Sequence, residues 1–140
     1  MRWAAGKFML MSGDKVLLDT NIISALLKGE KSIAENIEKS SLVYIPIIAL
    51  GELYYGAGYS THVQKNTNVV KKVASRFRLL LIDEDTTLEY GKIKSGLRKR
   101  GTPIPENDIW IAAIATHHKL TLVTRDKHFN EIAGLKIKTW

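Results

Sequence analysis

No cysteine occurs in the 140 residues. Neither a disulfide framework nor a thiolate metal site can therefore form, and nothing points to an oxidising compartment. Apolar runs are short, and none approaches the roughly 18 uninterrupted residues needed to span a bilayer. Met1 to Met11 carries Arg2 and Lys7 among its apolar residues and lacks the continuous apolar stretch and small-residue cleavage pattern of a signal peptide. The expectation is a cytoplasmic protein without a membrane partner, with residues 1–14 a loosely ordered leader, Met11 an alternative start, and 15–140 one domain. Repeats, low-complexity tracts and interdomain linkers are also missing. Acids are the minority charge, 14 against 21 lysines and arginines, for a net +7. That balance favours a polyanionic partner such as nucleic acid.

What is present alternates between two periodicities. Val16-Leu17-Leu18 reads as a buried strand, and Ile22, Ile23, Leu26 and Leu27 follow at helical spacing up to a Lys28-Gly29 stop. Ile33, Ala34 and Ile37 mark a second amphipathic helix, and Leu42 to Ile45 a second strand. Pro46 suits the first turn of the next helix, Ile47 to about Gly58, because its missing N–H would be unpaired there. Val69, Val70, Val73 and Phe77 line a basic-backed helix, and Leu79 to Ile82 form a third strand. Tyr90, Ile93 and Leu97 give the buried stripe of a helix ending in Arg98-Lys99-Arg100-Gly101. A stiff loop through Pro103 and Pro105 leads to an apolar helix from Ile109 to His117. Leu120 to Thr124 is a fourth strand, and Leu135 to Lys138 an edge strand. This order predicts an α/β fold, a three-layer α/β/α sandwich around a mainly parallel sheet of four to five strands. Ligands of such folds bind beyond the carboxyl ends of the strands, where strand order switches direction.

Four acids stand out against this frame. Asp19 ends the first strand and Asp126 follows the fourth, and either has an ordinary alternative as a helix cap. Glu52 shares its helix face with Ile48, Ala49, Tyr55 and Gly56, all apolar or small. Asp108 precedes Ile111, Ala112 and Ala115 on one face. A carboxylate on a buried stripe requires a counter-charge, from Lys, Arg or a bound cation. Four converging carboxylates without His or Cys partners suit a hard ion, Mg²⁺ or Mn²⁺. An acidic pocket of this kind in a basic chain reads as a metal-dependent nucleic acid hydrolase.

Leu17-Leu18-Asp19-Thr20-Asn21, Gly51-Glu52-Leu53, Asn107-Asp108-Ile109-Trp110-Ile111-Ala112-Ala113 and Leu122-Val123-Thr124-Arg125-Asp126 together resemble the successive signatures of PIN domains. The similarity is strongest to VapC-type toxin ribonucleases of prokaryotic toxin–antitoxin pairs, and it runs from Lys15 to Trp140. The resemblance implies a PIN-like nuclease domain over 15–140. It also implies Mg²⁺- or Mn²⁺-dependent endoribonuclease activity on RNA, a homodimer, and a small antitoxin that covers the site. It carries the acidic quartet onto Asp19, Glu52, Asp108 and Asp126, with Asp19, Asp108 and Asp126 holding metal and Glu52 orienting or deprotonating water. Thr124, Thr20 and Asn21 match supporting polar positions.

Arg98, Lys99 and Arg100, and Arg125 and Lys127 beside Asp126, are candidates for holding RNA. His117 and His118 are neighbours on a helix and so should point to different faces, which favours a helix C-terminus effect over a ligand pair. Trp110, Tyr54 and Tyr55 are expected in packing or a subunit interface. Gly51, Gly56 and Gly58 suggest close packing by a neighbouring element, of this chain or of a partner subunit. Competing readings are a catalytically silent nucleic-acid-binding domain, a PIN-like nuclease acting on structured DNA or in RNA processing without an antitoxin, and a phosphotransfer or phosphatase domain. The last requires a late-strand lysine or an Asp-x-Asp pair, where this chain has Asp19-Thr20-Asn21.

Overall fold

The computed structural model describes residues 14–140. The leader expected over 1–14 therefore lies outside the described residues except for Asp14, which is tied down: its carbonyl accepts from Ser41 N at 3.0 Å and its carboxylate pairs with Lys138. In chain order the elements are β1 (Lys15–Leu18), α1 (Thr20–Leu27), α2 (Lys31–Lys39), β2 (Leu42–Pro46), α3 (Ile47–Gly58), α4 (Val63–Arg76), β3 (Arg78–Leu80), α5 (Glu84–Arg100), α6 (Glu106–His117), β4 (Thr121–Val123), a 3-10 helix (Lys127–Glu131) and β5 (Ile137–Lys138). The strands form one sheet ordered β3-β2-β1-β4-β5, and every pairing is parallel.

Alternation along the strands builds the three layers. Val16 and Leu18 of β1 and Val123 of β4 face a core made with α1, α2, α3 and α4, around Ile22, Ile23, Ile33, Leu53 and Val70. Leu17 and Leu122 face the opposite core, with Leu97 of α5, Ile111 and Ile114 of α6, and Phe129. Successive side chains of a strand point to opposite faces, so a run apolar at every position demands cover on both sides. That explains the unbroken Val16-Leu17-Leu18.

The chain fills one side of β1 with β2 and β3 and then crosses to the other with β4 and β5, so the switch in strand order falls between β1 and β4. Asp19 continues β1 at this point, its N–H donating to Val123 O at 3.0 Å. Among the described residues no helix is long and apolar enough to cross a membrane.

Several local expectations change. Pro46 is the last residue of β2 and the N-cap of α3 rather than its first turn, because it keeps an extended ψ of 146°. Ala34 is exposed, leaving Ile33 as the buried residue of α2. Among the described residues no other element of this chain packs closely on Gly51, Gly56 or Gly58: a methyl group at any of them meets nothing within 4 Å, so of the two neighbours expected only a partner subunit is left. The buried stripe of α3 is Ala49, Leu53 and Ala57, which turns the glycine side outward together with Tyr55 and Tyr59, 73% and 84% exposed.

Candidate active site

Asp19 sits at the carboxyl end of the central strand and is only 4% exposed. Its Oδ1 accepts from Thr20 N at 2.8 Å, and its Oδ2 accepts from Thr124 Oγ1 at 2.7 Å and Asn21 Nδ2 at 3.2 Å. It is thus the N-cap of α1 as well, although it bonds the first helical N–H rather than those one or two residues further on. Burial pushes the Asp19 carboxyl above the usual carboxylate range, with Glu52 and Asp126 adding repulsion; the Thr124 and Thr20 hydrogen bonds oppose this.

Asp108 enters from the first turn of α6, its side chain only 13% exposed. Its carboxyl is pushed up from the ordinary 3.8 to about 7, first by burial and then by the charges of Asp126, Asp19 and Glu52. Three separate elements therefore aim negative charge at one place. Glu52 comes from α3 and is half-buried at the margin of that helix's apolar stripe, since Tyr55 and Gly56 one turn on are exposed. Its Oε1 accepts from Thr20 Oγ1 at 2.6 Å, which joins α3 to the first residue of α1.

Asp126 follows β4 and caps the 3-10 helix through His128 N at 2.9 Å. Thr124, 1% exposed, joins the two strand ends: it donates to Asp19 and its Oγ1 accepts from Asp126 N at 2.9 Å. Thr124→Val keeps the shape while leaving Asp19 with one donor fewer and the Asp126 amide without its acceptor. We expect a loss of about 1–3 kcal/mol in denaturant unfolding, together with weaker divalent-ion binding by calorimetry. A variant as stable as the parent and binding ions equally would show the bridge to be dispensable.

The counter-charge required by buried acids is not supplied by lysine or arginine. Among the described residues, none lies within ion-pair distance of any of the four carboxylates. Arg125, beside Asp126 in sequence, turns away: its guanidinium donates to Glu30 Oε2 at 2.6 Å and to the Trp140 carbonyl at 3.0 Å. The same pair holds the Glu30 carboxyl below its ordinary range. Its backbone N–H donates to Asn21 Oδ1 at 3.3 Å, so Asn21 links Asp19 to the β4 loop.

Lys127, Arg98 and Lys99 are exposed, whereas Arg100, also exposed, donates to the Glu131 carbonyl at 2.6 Å. Trp110 is packed, stacked on Tyr90 with centroids 3.9 Å apart. Tyr90 in turn bonds Glu106, which Lys94 also reaches at 3.1 Å.

One site residue escapes the sequence reading. His128 Nδ1 lies 2.9 Å from Asp126 Oδ1 and 3.6 Å from Asp108 Oδ2, and the three side chains can offer ligand atoms all within 4.8 Å of one another. Its only signal in the chain is its place two residues after Asp126. No periodicity marks a 3-10 turn, and the contact with Asp108 depends on how α6 docks against that turn.

The donor set fits a hard divalent ion. It is dominated by carboxylate oxygens, it has no lysine or arginine beside it among the described residues, and the rise at Asp108, caused first by burial and then by the charges of Asp126, Asp19 and Glu52, is opposed by any cation bound there. The imidazole of His128 is tolerated better by Mn²⁺ than by Mg²⁺ if it joins the coordination shell.

Comparison with known proteins places this arrangement. The PIN domain family model matches residues 16–135. Ribonuclease VapC1 of Haemophilus influenzae (strain R2866) is 33% identical over 129 residues, covering 89% of this chain and 96% of that protein. The tRNA(fMet)-specific endonuclease VapC of Salmonella typhimurium is 33% identical over 129 residues, covering 90% of this chain and 98% of that protein. Among solved structures, DNA-bound VapBC from Salmonella typhimurium superposes with a TM-score of 0.85 at 33% identity, over 90% of this chain and 98% of its own. The fold, the acids at its strand and helix ends, and a sequence match spanning almost all of the described residues lead to one assignment: the chain belongs to the PIN domain family.

Proposed function

We propose that this chain is a Mg²⁺- or Mn²⁺-dependent endoribonuclease that acts as the toxin of a toxin–antitoxin pair. The observation that carries the reading is the convergence of Asp19, Glu52, Asp108 and Asp126 with no lysine or arginine among the described residues to neutralise them, in a chain of net charge +7. Asp19, Asp108 and Asp126 hold the ion, directly or through water, while Thr124, Thr20 and Asn21 fix the carboxylates. When bound, the ion offsets charge on the phosphoryl group and makes water a stronger nucleophile at neutral pH.

Glu52, held by Thr20, orients the attacking water and takes its proton. The water oxygen bonds phosphorus, one phosphorus–oxygen bond breaks, and the leaving ribose oxygen is protonated. His128, beside Asp126, is placed to hand over that proton. Lys127 and the Arg98-Lys99-Arg100 end of α5 attract the RNA backbone. Arg125, engaged by Glu30, contributes to the loop rather than to phosphate.

The similar structures that are VapBC complexes support a small antitoxin as partner. A groove of about 560 Å³ runs from Thr20 and Glu52 past Lys28 and Lys65, giving such a segment a path to the site. Exposed Tyr55 and Tyr59, stacked with centroids 6.1 Å apart beside uncovered glycines, support burial of this α3 face in a homodimer.

The test is RNA cleavage by purified protein. Activity should require Mg²⁺ or Mn²⁺, stop with EDTA, and fall to background in Asp19→Asn. Cleavage that survives EDTA would overturn the metal mechanism.

A further inference from the structure

At the other end of α6, ~14 Å along the helix from Asp108 at 1.5 Å per residue, three potential ligands gather outside the active site. Asp83 is the N-cap of α5, His117 is the last residue of α6, and His118 is its C-cap. Helix neighbours normally diverge by about 100°. Here the helix ends between them: His118 leaves helical geometry at φ −90° and ψ 3°, and the two rings come to 4.4 Å between centroids. The divergence expected from the sequence is thereby lost. Asp83 completes the group from another element, its Oδ2 lying 3.5 Å from His117 Nε2.

We propose that Asp83, His117 and His118 form a second metal site, selective for a borderline transition ion such as Zn²⁺. One ligand atom from each residue lies within 4.8 Å of the others. Tetrahedral zinc with ligand bonds of about 2.1 Å sets its ligand atoms about 3.4 Å apart. The Asp83–His117 spacing of 3.5 Å is already close to that edge, and the exposed His118 ring has to close in. Each carboxylate oxygen of Asp83 has its own task. Oδ1 accepts from Thr86 N at 2.9 Å and Thr86 Oγ1 at 2.8 Å in a capping box, which fixes the side chain, while Oδ2 faces the His117 imidazole.

The two sites differ in chemistry. Two imidazole nitrogens and one carboxylate prefer Zn²⁺, Ni²⁺ or Cu²⁺, whereas the oxygen-dominated quartet prefers Mg²⁺ or Mn²⁺. Water completes the fourth position on the solvent side, where Asp83 and His118 are exposed. Bound here, the ion clips the start of α5 to the end of α6, the helix that carries Asp108.

The site is tested on the full-length protein with Zn²⁺ as titrant in excess Mg²⁺, which occupies the oxygen site. His128→Ala removes the other imidazole that lies near carboxylates. Calorimetry on His128→Ala should give one Zn²⁺ per chain, and adding His117→Ala or His118→Gln should weaken it at least tenfold. In His128→Ala Zn²⁺ should raise the Tm, and in His128→Ala with His118→Gln it should not. Cu²⁺ as a spectroscopic probe should show coupling to two nitrogens in His128→Ala and to one after adding His118→Gln. His118→Gln alters an exposed side chain, so it should fold and retain Mg²⁺-dependent cleavage. Zn²⁺ binding of equal stoichiometry and affinity with and without His118, or no Zn²⁺ binding in excess Mg²⁺, would overturn the proposal.

Discussion

Asp108→Asn should abolish cleavage and make the metal-free protein more stable. The carboxylate is a proposed ion ligand, and losing it should lower activity at least a thousandfold, on the order of 4 kcal/mol of barrier. The same carboxylate is a burden without the ion, because burial and three neighbouring acids push it up to about 7. An amide of the same shape carries no charge to bury. In EDTA at neutral pH the variant should therefore gain roughly 2–4 kcal/mol in denaturant unfolding. Opposite signs on activity and stability are the signature of a residue retained for chemistry against the interest of the fold. A variant both inactive and less stable in EDTA would instead make Asp108 a structural residue.

The second expected result is a stability that declines with rising pH until metal is added. Between 3.8 and about 7 the folded chain keeps a proton on Asp108 that the unfolded chain has released. The native state binds more protons there, so metal-free stability falls as pH rises through that window, by roughly 2–4 kcal/mol in all. Asp19, displaced in the same direction by burial, adds to the decline. Asp83, held below its ordinary value by Thr86, acts with the opposite sign, and its contribution is lost only at pH values under the ordinary carboxylate range. A divalent ion favours the ionised acids, so Mn²⁺ should stabilise more at pH 7.5 than at pH 5. Unfolding curves at both pH values with and without Mn²⁺ measure this, and Asp108→Asn should flatten the pH dependence. A slope that persists in that variant would place the responsible proton elsewhere.

Much of this molecule is written locally. Val16-Leu17-Leu18 declares a strand covered on both faces, and the structure places it at the centre of the sheet with a core on either side. Asp19 and Asp126 are visible as polar residues at the ends of apolar strands. Asp108 is visible because Ile111, Ala112 and Ala115 on its face are buried. Glu52 is legible for a partly different reason than its spacing suggests, since half of its presumed apolar face is open to solvent.

The sequence by itself determined the order of strands and helices, the two-sided cover of β1 and the four acids, because burial leaves a period of two or of 3.6 in the residues nearby. Only the tertiary structure decided which side chains meet. Thr124 reaches Asp19 across 105 residues, His128 joins Asp108 and Asp126, and Arg125 is claimed by Glu30. The end of α6 folds His118 back beside His117, and the outer face of α3 is left uncovered. Such pairings depend on where helices stop and how loops dock, and a hydrogen bond or ion pair between distant residues leaves no period in the sequence between them.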